Sequence, residues 1–171
     1  MKLILLLAIV IICTLIGYGY GEEFTKRYNQ LKEILRIVIE LENEIVYSHT
    51  PLPHCLKKIS LKSKEPLKKL LEVIEEKLRE NEVIDIHEAF LVGINSEKEN
   101  LSLKEDDYEI ILDLSKSLGE TSVDNQHSIF SLAKEKLKRE IEETYRESKK
   151  NTKAYKSLGL GVGLMIVIFL M

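Results

Sequence analysis

Proline is scarce in this chain, with Pro51, Pro53 and Pro66 the three present, and beyond the two termini glycine thins to Gly93 and Gly119. A chain so poor in turn formers and so rich in Leu, Ile, Glu and Lys favours long helices over a many-turned sheet. Cysteine is nearly absent as well. Cys13 and Cys55 cannot build a disulfide framework, and Cys13 lies inside an apolar run, so both read as free thiols of a reducing compartment. Excess charge of one sign is also missing, since 25 Lys and Arg face 28 Asp and Glu. That balance gives no electrostatic reason to expect a nucleic-acid partner.

Catalytic signatures are missing too. There is no phosphate-binding Gly-Lys loop, no nucleophile elbow and no H-E-x-x-H. His49, His54 and Cys55 are metal-like in residue type, but a zinc site needs about four converging ligands and no second Cys/His pair exists. His87 and His127 read as ordinary residues near helix starts. Paired carboxylates such as Glu75-Glu76 and Glu142-Glu143 mark solvated faces. The expectation is a non-enzymatic protein without cofactor or metal.

What the sequence does have is an uncharged run at each end. Residues 3–21 carry no charge, and at about 1.5 Å per residue a helix of that length nearly spans a bilayer core. No A-x-A-like cleavage pattern follows, so the run reads as a retained anchor. Residues 157–171 form a second uncharged run, long enough to cross if Lys156 snorkels. Lys26, Arg27 and Lys32 follow the first run; Arg146, Lys149, Lys150, Lys153 and Lys156 precede the second. Basic flanks stay inside, which predicts a hairpin with both termini outside and the intervening domain cytoplasmic. Gly17 with Gly21 and Gly159 with Gly163 stand four apart, a spacing that lets membrane helices approach closely, although glycine is common in such helices anyway.

Between the anchors, heptad-like spacing and caps predict six helices. The first runs from residue 26 to 48, where Thr50-Pro51 stops it and starts a short helix over 52–59. Pro66 opens a third, ended near Asn81. Asp85 with Glu88, and Ser102 with Glu105, fit capping boxes that begin the fourth and fifth. Leu118-Gly119 reads as a helix end with glycine left-handed, after which Thr121 or Ser122 caps a long last helix. Its buried stripe is expected at Ile129, Leu132, Ala133, Lys136, Leu137, Ile141 and Tyr145. The fold expected is all-α: an N-terminal transmembrane helix (1–21), a helical-bundle domain (22–156) and a C-terminal transmembrane helix (157–171).

Two polar segments interrupt the apolar patterning: Leu41 to Leu52, and Leu118 to Gln126. As structure they are caps and turns. Together with Lys150-Asn151-Thr152-Lys153-Ala154-Tyr155-Lys156-Ser157-Leu158-Gly159, they also make the whole chain resemble the stage III sporulation protein AB family of endospore-forming bacteria. The resemblance implies a scaffold subunit of the channel complex in the mother-cell membrane around the forespore. It implies a soluble domain similar to the cytoplasmic domains of the type II secretion F platform protein. The implied partners are a cytoplasmic secretion-type ATPase, other membrane subunits of the complex and membrane lipid, with a homo-oligomer possible. Glu42, Glu44 and Tyr47 in the first polar segment and Asp124 and Gln126 in the second are the expected packing or docking residues. The rival reading is a general membrane-tethered helical adaptor of a secretion or pilus system.

Overall fold

The computed structural model describes residues 2–120 and 123–170, excepting the side chains of 2–10, 13–14, 16–21, 119–126, 151–156, 158–160, 163–164 and 169–170. Among the described residues the chain is entirely helical, without strands: α1 (Lys2–Glu42), a π-helix (Asn43–Tyr47), α2 (Leu52–Ser60), α3 (Leu67–Arg79), α4 (Ile86–Glu97), α5 (Glu105–Glu120) and α6 (Val123–Leu170). Its contacts form two compact units. One comprises residues 1–28 and 142–171, the other Asn29–Ile141.

In the larger unit α2 packs on α3, α3 on α4, and α4 on α5. The core is the sum of one stripe from each helix: Leu31, Ile34, Val38 and Leu41 of α1, Leu56 and Ile59 of α2, and Leu67, Leu70, Leu71 and Ile74 of α3. Ala89, Phe90 and Ile94 of α4, Tyr108, Ile111 and Leu114 of α5, and Phe130, Ala133 and Leu137 of α6 complete it. These spacings of three and four keep an apolar stripe on one side of each helix. Gly93 is required where α4 crosses α3, because a Cβ there would come within 2.5 Å of Ile74 Cγ1.

Several boundaries fall where caps predict them. Asp85 accepts from the Glu88 N–H at 2.7 Å and starts α4, while the Glu88 carboxylate reaches back to the Ile84 N–H at 2.6 Å. Asn81 ends the α3 turn with φ of 53°, the left-handed conformation that Asn tolerates better than most residues. Four expectations need correction. The first helix does not stay α-helical to residue 48 but widens into the π-helix after Glu42. The α5 helix begins at Glu105 rather than just after Ser102. Asp107 in its first turn reaches back to accept from the Lys104 N–H at 2.8 Å, and the Ser102 N–H goes to Gln30 Oε1 at 2.8 Å. Gly119 does not end α5, which runs on to Glu120. The buried stripe of α6 is as expected at Ala133 and Leu137, with Ile129 and Ile141 packed against the core, but it also takes in Phe130 and Thr144, whereas Leu132 is 55 % and Tyr145 43 % exposed.

In the smaller unit Tyr28 and Tyr145 stack at 5.5 Å between ring centroids, and Arg27 lies 3.8 Å from Glu147. Lys149 sits over the Tyr145 ring at 4.7 Å, a cation–π contact. Among the described residues no helix is long and apolar enough to cross a membrane. The uncharged runs at 3–21 and 157–171 consist mostly of positions whose side chains fall outside that description.

Candidate interaction site

The first polar segment begins at the end of α1. Pro51 cannot continue a helix, and the residue before a proline is pushed out of the helical region, so the chain must leave α1 before residue 50. It leaves through a widened turn. Ser48 N–H bonds to the Asn43 carbonyl at 3.1 Å, Thr50 N–H to the Glu44 carbonyl at 2.9 Å, and His49 takes φ of 51°. A π segment inserts an extra residue per turn and shifts the side chains that follow, which is why such turns recur at functional sites.

The shift separates two carboxylates. Glu42 is buried, and its Oε2 accepts from Lys134 of α6. Its Oε1 lies 3.0 Å from Nδ1 of His127, without the alignment of a hydrogen bond. The other ring nitrogen of His127 meets the Tyr47 hydroxyl at 3.0 Å, with the two rings edge to face at 5.9 Å. Tyr47 therefore stands 62 % exposed yet held at its tip. An exposed tyrosine is a residue type that anchors protein interfaces, because its two side-chain torsions leave little entropy to be lost.

Glu44 turns the other way, toward α2. It accepts from Lys58 at 2.5 Å and from the Thr50 hydroxyl at 3.1 Å, and the Lys58 hydrogen bond holds its carboxyl below the usual 4.5. Behind it Cys55 is buried and donates to the Thr50 carbonyl at 3.2 Å. Burial pushes its thiol up to about 11, which removes the thiolate needed for nucleophilic or metal chemistry. His49 and His54 are exposed beside it. Among the described residues no group of three or more His, Cys, Asp or Glu is placed to hold a metal ion.

The structure thus brings Glu42, Glu44 and Tyr47 into one turn and joins Glu42 and Tyr47 to α6. Asp124 and Gln126 belong to the first turn of α6, but their side chains lie outside the described residues, as do the surroundings of Gly17 and Gly21 in α1 and Gly159 and Gly163 in α6. Sequence reasoning missed His127 and Lys134. The available signal was their spacing of seven, which puts both on one face of a helix, but nothing pointed that face at Glu42.

A second polar cluster lies along α1 and the α2–α3 link. Arg36 holds Glu33 at 2.6 Å and Glu40 at 2.5 Å and reaches Ser63 at 3.0 Å, beside a cleft of about 580 Å³ that Gln30, Lys64 and Leu67 also line. The Arg36 hydrogen bond holds the Glu33 carboxyl low. These charges are satisfied by one another.

Comparison with known proteins matches this sequence along its length. The sequence profile of stage III sporulation protein AB covers residues 2–171. Stage III sporulation protein AB of Bacillus subtilis (strain 168) is 27 % identical over 171 residues, covering 100 % of this chain and 99 % of that protein. A solved structure of a stage III sporulation protein AB superposes with a TM-score of 0.68 at 23 % identity, covering 72 % of this chain and 96 % of that one, and so shares the fold.

Proposed function

The chain belongs to the stage III sporulation protein AB family, and on that premise we propose that it is a non-enzymatic, membrane-anchored scaffold of the channel complex between mother cell and forespore. Its two uncharged ends are the anchors in the mother-cell membrane. The helical domain lies in the cytoplasm and docks a secretion-type ATPase, as a type II secretion F platform domain does, beside the other membrane subunits of the complex.

One observation carries this reading: the family match runs from residue 2 to residue 171 and so includes both uncharged ends as well as the bundle. The site geometry supports it. Glu42, Glu44, Arg36 and Glu97 are each tied to a partner within the fold, which suits a rigid presenting surface more than a reactive centre. Tyr47, exposed and hydrogen-bonded to His127, is the proposed contact for the ATPase.

The test is binding of the full-length chain, in detergent, to the purified ATPase of the same complex. The wild-type chain is expected to bind, and Tyr47→Ala to weaken binding about tenfold or more with helicity unchanged. Absence of binding by the wild-type chain overturns the docking role. Deletion of the protein with normal yield of heat-resistant spores would instead favour a general membrane-tethered adaptor.

A further inference from the structure

The α2–α3 face carries two features of opposite sign side by side. One is a groove of about 410 Å³ between the helices. Its apolar wall is Pro53 and Leu61, the latter 74 % exposed, and its rim carries the cations Lys57, Lys58 and Arg79 with His54 and a single carboxylate, Glu75. Lys58 shares its charge with Glu44, and Arg79 with Glu75 and Glu80, whereas the side chains of Lys57 and His54 stand exposed without an ion pair or side-chain hydrogen bond among the described residues.

The other feature is the loop between α3 and α4. Its Ile84 is 93 % exposed, more than any other large apolar side chain described. Glu80, Glu82 and Asp85 surround it in sequence. The loop is held in shape by its own bonds: Ile84 N–H to Glu88, Glu88 N–H to Asp85, and Lys77 to Glu82. An apolar knob on a fixed loop loses little entropy when it enters a pocket.

Arg79 of the groove pairs with Glu80 at the start of the loop at 3.3 Å, so groove and loop adjoin. A surface with an acid-rimmed knob beside a base-rimmed groove is complementary to itself across a two-fold axis, because each knob meets the partner's groove and each acidic rim a basic one. We infer that the occupant of the α2–α3 groove is the Ile84 loop of a second copy of this chain, in a symmetric dimer. Both halves of the complementarity are on this chain, which is what favours a second copy over another partner. The inference does not depend on ATPase docking.

The experiment uses full-length chains in phosphatidylcholine vesicles, labelled at Asn100→Cys with donor or acceptor dyes in a Cys13→Ser, Cys55→Ser background, and reads energy transfer against chain density. Wild type is expected to associate. Reversal of the groove (His54→Glu with Lys57→Glu) and reversal at the loop (Glu80→Lys), which leaves the Lys77–Glu82 bond in place, should each weaken self-association about tenfold or more. Mixing the two reversed chains should restore it, since acid then faces base at both contacts; a misfolded variant could not be rescued in this way. Energy transfer absent in wild type, unaffected by either reversal, or not restored on mixing overturns the inference. So does a groove reversal that leaves self-association intact while abolishing binding of the ATPase, because the groove would then belong to that partner.

Discussion

Glu42 and Lys134, ninety-two positions apart in sequence, form an ion pair that ties the last α-helical residue of α1 to α6, with the carboxylate buried and the ammonium only partly so. Removing the ammonium leaves a carboxylate out of water with the His127 ring as its nearest polar neighbour. Lys134→Ala should therefore destabilise the protein by about 2–3 kcal/mol, somewhat less than a fully buried pair would lose. The pair Glu42→Leu with Lys134→Met, which removes both charges, should cost less than Lys134→Ala alone. Thermal unfolding followed by circular dichroism measures both.

Gly93 makes a sharper packing claim. Gly93→Ala puts a methyl against Ile74 Cγ1 and should cost about 1–3 kcal/mol. In the Ile74→Ala background the same change should cost much less, so the two substitutions should be non-additive in urea unfolding. Equal costs in both backgrounds would mean that α3 and α4 sit farther apart than described.

Glu97 predicts an acid-dependent stability. Lys69 donates to its carboxylate at 2.8 Å, Asn100 donates at 2.8 Å, and these bonds hold the carboxyl below its ordinary 4.5. The unfolded chain therefore takes up this proton more readily than the folded one. The stabilisation is complete above the unfolded value and is lost as pH falls through the lower, folded one. Glu97→Gln should lower stability at neutral pH and lose less of it on acidification, as measured by urea unfolding at about pH 7 and pH 3.5.

Asn81 tests the backbone. At φ of 53° an alanine is strained, so Asn81→Ala should destabilise by about 1 kcal/mol, whereas Asn81→Gly should remain near wild type. Urea midpoints of the two variants decide between this account and one in which the Asn side chain matters.

The elements that could be read from the chain alone were those fixed by local chemistry. Pro51 and Pro66 set where α2 and α3 begin, and Asp85 with Glu88 set α4, because a cap or a missing N–H acts within a few residues. Gly119 was misread since a glycine is permitted, not required, to turn left-handed. The α6 stripe is legible at Ile129, Ala133, Leu137 and Ile141 but drawn too wide, because Leu132 and Tyr145 are apolar or amphipathic yet face outward. At the site, Glu42, Glu44 and Tyr47 were visible as a polar interruption of an apolar pattern. Their connection to His127 and Lys134 was not, because a pairing between distant helices is set by tertiary packing and leaves no local trace.

The proposed placement of the helical domain in the cytoplasm, between two anchors, can be read by labelling intact cells with a membrane-impermeant thiol reagent. Single cysteines at Lys2→Cys, Asn100→Cys and Met171→Cys are placed in a Cys13→Ser, Cys55→Ser background. Labelling of positions 2 and 171 with position 100 protected until the cells are opened is the predicted result. Labelling of position 100 from outside would contradict it, and with it the docking of a cytoplasmic ATPase.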